Sequence, residues 1–162
     1  MVADQGSGLS SPEEVTLFWR EVLSDTERRL AAGASSPREA RWMVAAVSGI
    51  EDDKELDSPV MRRHLAQLEV LVARRLGGEP LQYVLGRWPF RGLDLMIDRR
   101  VLIPRPETEV VAGYALEECN RAAASQPLGD PVYVADLGCG AGAIGLAVAS
   151  EDPAARVWCT DV

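Results

Sequence analysis

The sequence has few of the side chains on which many catalytic centres are built. Histidine occurs once, as His64, in a helical stretch beside Arg62 and Arg63. One imidazole argues against a triad built on histidine and against a histidine-rich metal site; His64 reads as an ordinary helix residue, and no metal site is expected. Cysteine occurs three times, at Cys119, Cys139 and Cys159, with no C-x-x-C pair. Any single disulfide would leave a thiol over, a usage that points to a reducing, cytoplasmic setting. No apolar run approaches the ~18–20 residues of a membrane span. Met1 to Ser10 has neither a basic n-region nor an apolar h-region, so no signal peptide is expected. Positive charge is also in deficit: the formal net charge is -8. That argues against broad binding to a phosphate backbone, which needs a basic surface, and leaves open a protein partner with a local basic patch.

What is present is enough for a folded core. The chain has 162 residues, 47% of them hydrophobic, which allows one ordinary domain or two small ones. Three helices are expected in the first half. Ser11-Pro12-Glu13-Glu14 combines a cap, a first-turn proline and a capping-box glutamate; Val15, Phe18, Trp19, Val22 and Leu23 then mark one apolar face, and Gly33 is a stop. Ser36-Pro37-Arg38-Glu39 repeats the signal before Met43, Val44 and Val47, ending near Gly49. Glu51-Asp52-Asp53 reads as a solvated connection, because it lacks the spaced ligands and glycine of a calcium loop. Ser58-Pro59 opens a third helix with Met61, Leu65, Leu68 and Val72 on one side, closed by Gly77-Gly78. These helices form a small bundle over 1–77, and nothing in it looks like chemistry.

Residues 78–104 change character. A turn and a short apolar piece lead to two strands, Trp88 to Phe90 and Leu93 to Asp98, around Arg91-Gly92, a hairpin linker. Ile103-Pro104-Arg105-Pro106-Glu107-Thr108-Glu109 then breaks the chain and starts a helix. In 105–162 that helix is followed by a buried strand (Val132 to Leu137), a glycine-rich turn (Gly138 to Gly142), a short helix (Ala143 to Ser150) and a second strand (Arg156 to Thr160) ending at Asp161. This order is the opening of a doubly wound α/β sheet.

The chemistry is expected in the turn. Asp136-Leu137-Gly138-Cys139-Gly140-Ala141-Gly142 lets a ligand approach the backbone, and Asp161 lies 23 residues after Gly138, placed to accept hydrogen bonds from ribose hydroxyls. The candidate cofactor-binding residues are Gly138, Cys139, Gly140, Ala141, Gly142 and Asp161. The loop does not choose its ligand. Gly138-x-Gly140-x-x-Ala143 and Gly140-x-Gly142-x-x-Gly145 both fit a dinucleotide fingerprint, so a nicotinamide or flavin enzyme stays open. The carboxylate at the strand end favours a nucleoside without a pyrophosphate, the character of S-adenosylmethionine.

Several segments stand together in one order: Gly78-Glu79-Pro80-Leu81-Gln82-Tyr83-Val84-Leu85-Gly86, then Phe90 and Gly92, then Val101 to Glu109, then Asp136 to Ile144. In order and spacing they resemble the release factor glutamine methyltransferases (the HemK/PrmC type), strongly over 60–162 and only as a helical domain before that. The resemblance implies a helical N-terminal domain that docks the substrate, a hairpin linker and the start of a Rossmann-like methyltransferase domain. It also implies S-adenosylmethionine as cofactor, bound by Gly138 to Gly142 and Asp161, with Pro104 to Thr108 near its methionine end. The implied reaction is methylation of the side-chain amide of the glutamine in the Gly-Gly-Gln loop of class 1 peptide chain release factors, with no direct nucleic-acid or membrane partner. The family's Asn-Pro-Pro-Tyr motif has no counterpart, since the only asparagine, Asn120, is followed by Arg121. No catalytic residue is therefore assigned, and the 162-residue chain alone is expected to be inactive. A glutamine methyltransferase acting on a ribosomal protein, or an inactive binding module, are the alternatives.

Overall fold

The computed structural model describes residues 17–33, 35–127 and 129–162. They fall into two compact units that divide between Leu76 and Gly77. Among the described residues no helix is long and apolar enough to cross a membrane.

The first unit is helical. Helices α1 (Trp19–Ala32), α2 (Glu39–Ser48) and α3 (Arg62–Leu76) pack in series, and a 3-10 turn over Asp53–Asp57 lies against α1. Trp19, Val22, Thr26 and Leu30 recur at helical spacing and form the buried stripe of α1. Thr26 tolerates burial because its hydroxyl donates to the Val22 carbonyl at 2.8 Å. Ala40, Met43 and Val44 from α2, Leu68 and Val72 from α3, and Ile50 and Leu56 between them are buried as well. At about 25 cal/mol per Å² of apolar surface, such residues supply most of the unit's stability.

Two helix starts differ from the sequence expectation. The capping signal at Ser11 to Glu14, with Val15, lies outside the described residues, and α1 begins at Trp19 after an extended Phe18. There Glu21 closes the helix end by accepting the Phe18 N–H at 3.1 Å. Ser58-Pro59 does not open α3. It bridges antiparallel to the segment before α1: Trp19 N–H donates to the Ser58 carbonyl at 3.2 Å, and Val60 N–H to the Leu17 carbonyl at 2.8 Å. A long-range pairing thus holds residues 58–60 extended, and α3 waits until Arg62. The second helix ends where glycine predicts, with Gly49 left-handed at φ 76°. Its Glu39 does not cap; the carboxylate binds the Arg75 guanidinium of α3 through two contacts of 2.5 and 3.2 Å. The acidic connection is a capped turn, in which the Asp52 carboxylate accepts Lys54 N–H at 3.0 Å.

The second unit mixes helices and short strands. The apolar piece after Pro80 is a helix, α4 (Leu81–Leu85), ended by left-handed Gly86. Strands β1 (Arg87–Phe90) and β2 (Leu93–Met96) form the expected hairpin. Helix α5 (Pro106–Ala124) starts on Pro106 with Glu107 and Glu109 in its first turn. Strand β3 (Tyr133–Leu137), helix α6 (Ala143–Glu151) and strand β4 (Arg156–Thr160) form one β–α–β unit, with β3 and β4 parallel in the register Tyr133↔Arg156 to Leu137↔Thr160.

Helix α6 organises this unit. Its Ala143 and Ala147 join Phe90, Leu95 and Ile97 of the hairpin region and Ala112 of α5 in one core. Its Val148 joins Cys119, Val132 and Ala155 in another. Val134 and Val157 pack toward α6, and alternation turns Tyr133, Leu137 and Trp158 to the other, exposed face, where the Tyr133 and Trp158 rings stack at 5.5 Å.

Candidate functional site

The site is built on the reversal between β3 and α6. Gly138, Gly140 and Gly142 all have left-handed backbone, with φ of 71°, 54° and 73°. Side-chain-bearing residues resist that region, so glycine at every second position is a geometric demand of the turn. The turn is tied to the carboxyl end of β4. Gly138 and Cys139 both donate N–H to the Thr160 carbonyl, at 2.8 and 3.1 Å, and Gly142 N–H closes the loop on the Cys139 carbonyl at 2.8 Å.

Two carboxylates are fixed by this backbone. One oxygen of Asp161 accepts Gly140 N–H at 2.5 Å and the other accepts Val162 N–H at 2.7 Å. Those amides, Gly140 first, hold the Asp161 carboxyl below the range of an ordinary aspartate. Each oxygen keeps acceptor capacity for a further donor. Asp136, half-buried at the end of β3, accepts Gly145 N–H from α6 at 2.9 Å. Helix and strands meet closely there. A Cβ on Gly145 would overlap the Cys159 sulfur, and would also lie 3.1 Å from Asp136 Oδ2 and 3.3 Å from Val157 Cγ1.

Facing the turn is a second wall, Leu102 to Arg105 with Thr108, and the two enclose a cleft of about 180 Å³. Of the residues expected from sequence, Gly138, Cys139, Gly140 and Ala141 line this cleft. Gly142 does not; it is the left-handed cap of α6, and a Cβ there would sit 3.3 Å from the Leu146 side chain. Asp161 stands beside the cleft, joined to it through Gly140. Pro104 and Thr108 line the opposite wall. Asp136, Leu102 and Ile103 also line the cleft and were not expected there. Asp136 carried a signal, a carboxylate just before the glycine turn. Leu102 carried none, since an apolar residue in Val101-Leu102-Ile103 reads as core, yet it is 75% exposed.

The set suits an adenosyl group. A Cβ at Gly138 or Gly140 would meet nothing within 4 Å, so the backbone is open to close approach, and an ionised, exposed carboxylate stands at the strand end. A roomier cavity of about 500 Å³, lined in part by Ala123, Gln126, Asp130 and Arg156, lies at the amino ends of the strands. Ligands of α/β sheets bind at the carboxyl ends, so the smaller cleft is the better candidate. Among the described residues no cluster of three or more His, Cys, Asp or Glu side chains is placed to hold a metal ion.

Comparison with known proteins agrees on one family. Residues 21–86 match the family described as PrmC N-terminal domain. The human MTRF1L release factor glutamine methyltransferase is 37% identical, over 96% of this chain and 46% of its own length. Release factor glutamine methyltransferases from Geobacter sulfurreducens and Streptomyces coelicolor are 39% and 36% identical, over 85% and 91% of this chain and 47% and 51% of their own lengths. The chain thus spans about half the length of the curated relatives it matches. By these matches, the chain carries a PrmC N-terminal domain over residues 21–86 and is similar over most of its length to release factor glutamine methyltransferases.

Proposed function

We propose that the whole protein transfers the methyl group of S-adenosylmethionine to the side-chain amide nitrogen of the glutamine in the Gly-Gly-Gln loop of class 1 release factors. The observation that carries this reading is the cleft between the glycine turn and the Leu102 to Arg105 wall, with Asp161 beside it. In this reading 105–162 begins a Rossmann-like cofactor domain, 78–104 links it, and 1–77 docks the protein substrate.

The cofactor, when bound, supplies a methyl group already activated on a sulfonium. The chain's own residues do the rest at this end of the site. Asp161, kept ionised by Gly140 N–H, accepts hydrogen bonds from ribose hydroxyls. The backbone at Gly138 and Gly140 admits the cofactor at van der Waals distance because no Cβ intervenes. Pro104, Ile103 and Leu102 keep water from the cleft's far wall. An amide nitrogen is a poor nucleophile, so such a reaction depends on holding nitrogen, methyl and sulfur in line, and a rigid cofactor cleft is the first requirement for that.

The test is incubation of the whole protein with methyl-labelled cofactor and a class 1 release factor. Label is expected on the glutamine of the Gly-Gly-Gln loop, and at a rate that falls with added salt, because the chain is acidic and its partner's ribosome-facing surface is expected to be basic. Label on nucleic acid or a small molecule, and none on the release factor, would reject the substrate assignment.

A further inference from the structure

We infer that Tyr83 is a positioning residue for the cofactor cleft, acting through the main chain of its far wall; the inference rests on the reading of that cleft as a cofactor site. The wall from Leu102 to Arg105 belongs to no helix or strand. Its main chain is held chiefly at its ends. At one end, the Arg105 carbonyl accepts Thr108 N–H at 2.9 Å in the first turn of α5. At the other, Val101 N–H donates to the Asp98 carbonyl at 3.2 Å, and the Val101 carbonyl accepts the Tyr83 hydroxyl at 2.7 Å. Pro104, in between, has no N–H to give.

Tyr83 is well placed to serve as a strut. It stands in α4, a helix of only five residues locked by left-handed Gly86, and the Gly86 carbonyl in turn accepts Ile97 N–H from the end of the hairpin at 3.0 Å. Its ring packs on the core of Phe90, Leu95, Ile97 and Ala143, against which Val101 and Ile103 from the wall's side and Ala141 and Ile144 from the glycine-turn side also pack. The ring is thus seated on the core that backs both sides of the cleft, and the hydroxyl holds the wall's anchor. Val101 and Ile103 pack on that core, and Leu102 and Ile103 both line the cleft. Releasing the Val101 carbonyl would let this register drift, so the cleft's width depends on a hydroxyl that does not itself line it.

The test uses Tyr83→Phe, which removes the hydroxyl and keeps the ring, in the whole protein. The probe is S-adenosylhomocysteine, titrated at a temperature well below unfolding. Kd should rise roughly three- to tenfold, the loss of one hydrogen bond's worth of preorganisation, and amide exchange at Leu102 and Ile103 should quicken while that of α6 is unchanged. Ile97→Val, which thins the same core but leaves the Tyr83 hydroxyl and its bond to Val101 in place, should lower Tm and leave Kd within twofold. If the wild type binds the probe and Tyr83→Phe binds it equally, or if Ile97→Val weakens binding as much, Tyr83 has no positioning role. If the wild type does not bind the probe at all, the cofactor reading itself fails, and unchanged exchange at Leu102 and Ile103 in Tyr83→Phe would separately reject the strut.

Discussion

Asp161 shows how one side chain links the fold to the candidate chemistry. Its carboxylate closes the glycine turn by taking Gly140 N–H, and in the proposed reading it also takes the ribose. Replacing it with alanine should cost cofactor affinity about tenfold or more, since charge-assisted hydrogen bonds go unmade; titration of the variant with S-adenosylhomocysteine measures this. The pH dependence has a definite sign. Hydrogen bonds from Gly140 and Val162 favour the ionised form and lower the carboxyl below the ordinary 3.8. The stabilisation it gives the turn is therefore complete above that value and is lost as pH falls through the lowered one. A carboxyl-carbon NMR titration should place the Asp161 midpoint under 3.8; a midpoint above it would contradict the hydrogen bonding described.

Among the elements, α6 and α2 are each fixed by a close contact to a neighbour. Helix α6 lies so close to the strands that Gly145 leaves no room for a methyl group beside Cys159. Gly145→Ala should destabilise the second unit by about 1–3 kcal/mol, read by chemical denaturation, and pairing it with Cys159→Ala should recover part of the loss. In the helical unit the Glu39–Arg75 pair joins α2 to α3 with side chains only 16% and 20% exposed. Glu39→Gln should lower its stability by about 1–3 kcal/mol, because a carboxylate that matches the guanidinium fork is exchanged for an amide that does not; thermal melting followed by circular dichroism measures it. Legibility in the sequence also varied by element. The glycine turn, β4 and the start of α5 could be read because each is set by local backbone demands: left-handed φ, a bounded apolar strand, a first-turn proline. Residues 58–60 could not, because Leu17 and Trp19 hold them by pairing across the stretch that contains α1 and α2. Helix α4 was hidden because five residues are too few to show a 3.6-residue period.

For the whole molecule, the two compact units divide the work in the proposed reading into docking and cofactor handling. The turn wall of the candidate cleft was legible where its residues are consecutive, from Gly138 to Ala141, with Asp161 beside it at the end of the next strand. It was not legible where walls meet through tertiary contacts. Leu102 facing the cleft, Gly142 serving as a helix cap and Tyr83 bracing Val101 all depend on which elements pack together. The glycine spacing alone also fits a dinucleotide, and the ligand of this cleft is the point on which the functional account turns. Calorimetry of the whole protein against S-adenosylhomocysteine and against NAD tests it most directly. Saturable heat is expected with S-adenosylhomocysteine, reduced in Asp161→Ala, and none with NAD. Tight NAD binding with no heat from S-adenosylhomocysteine would contradict it.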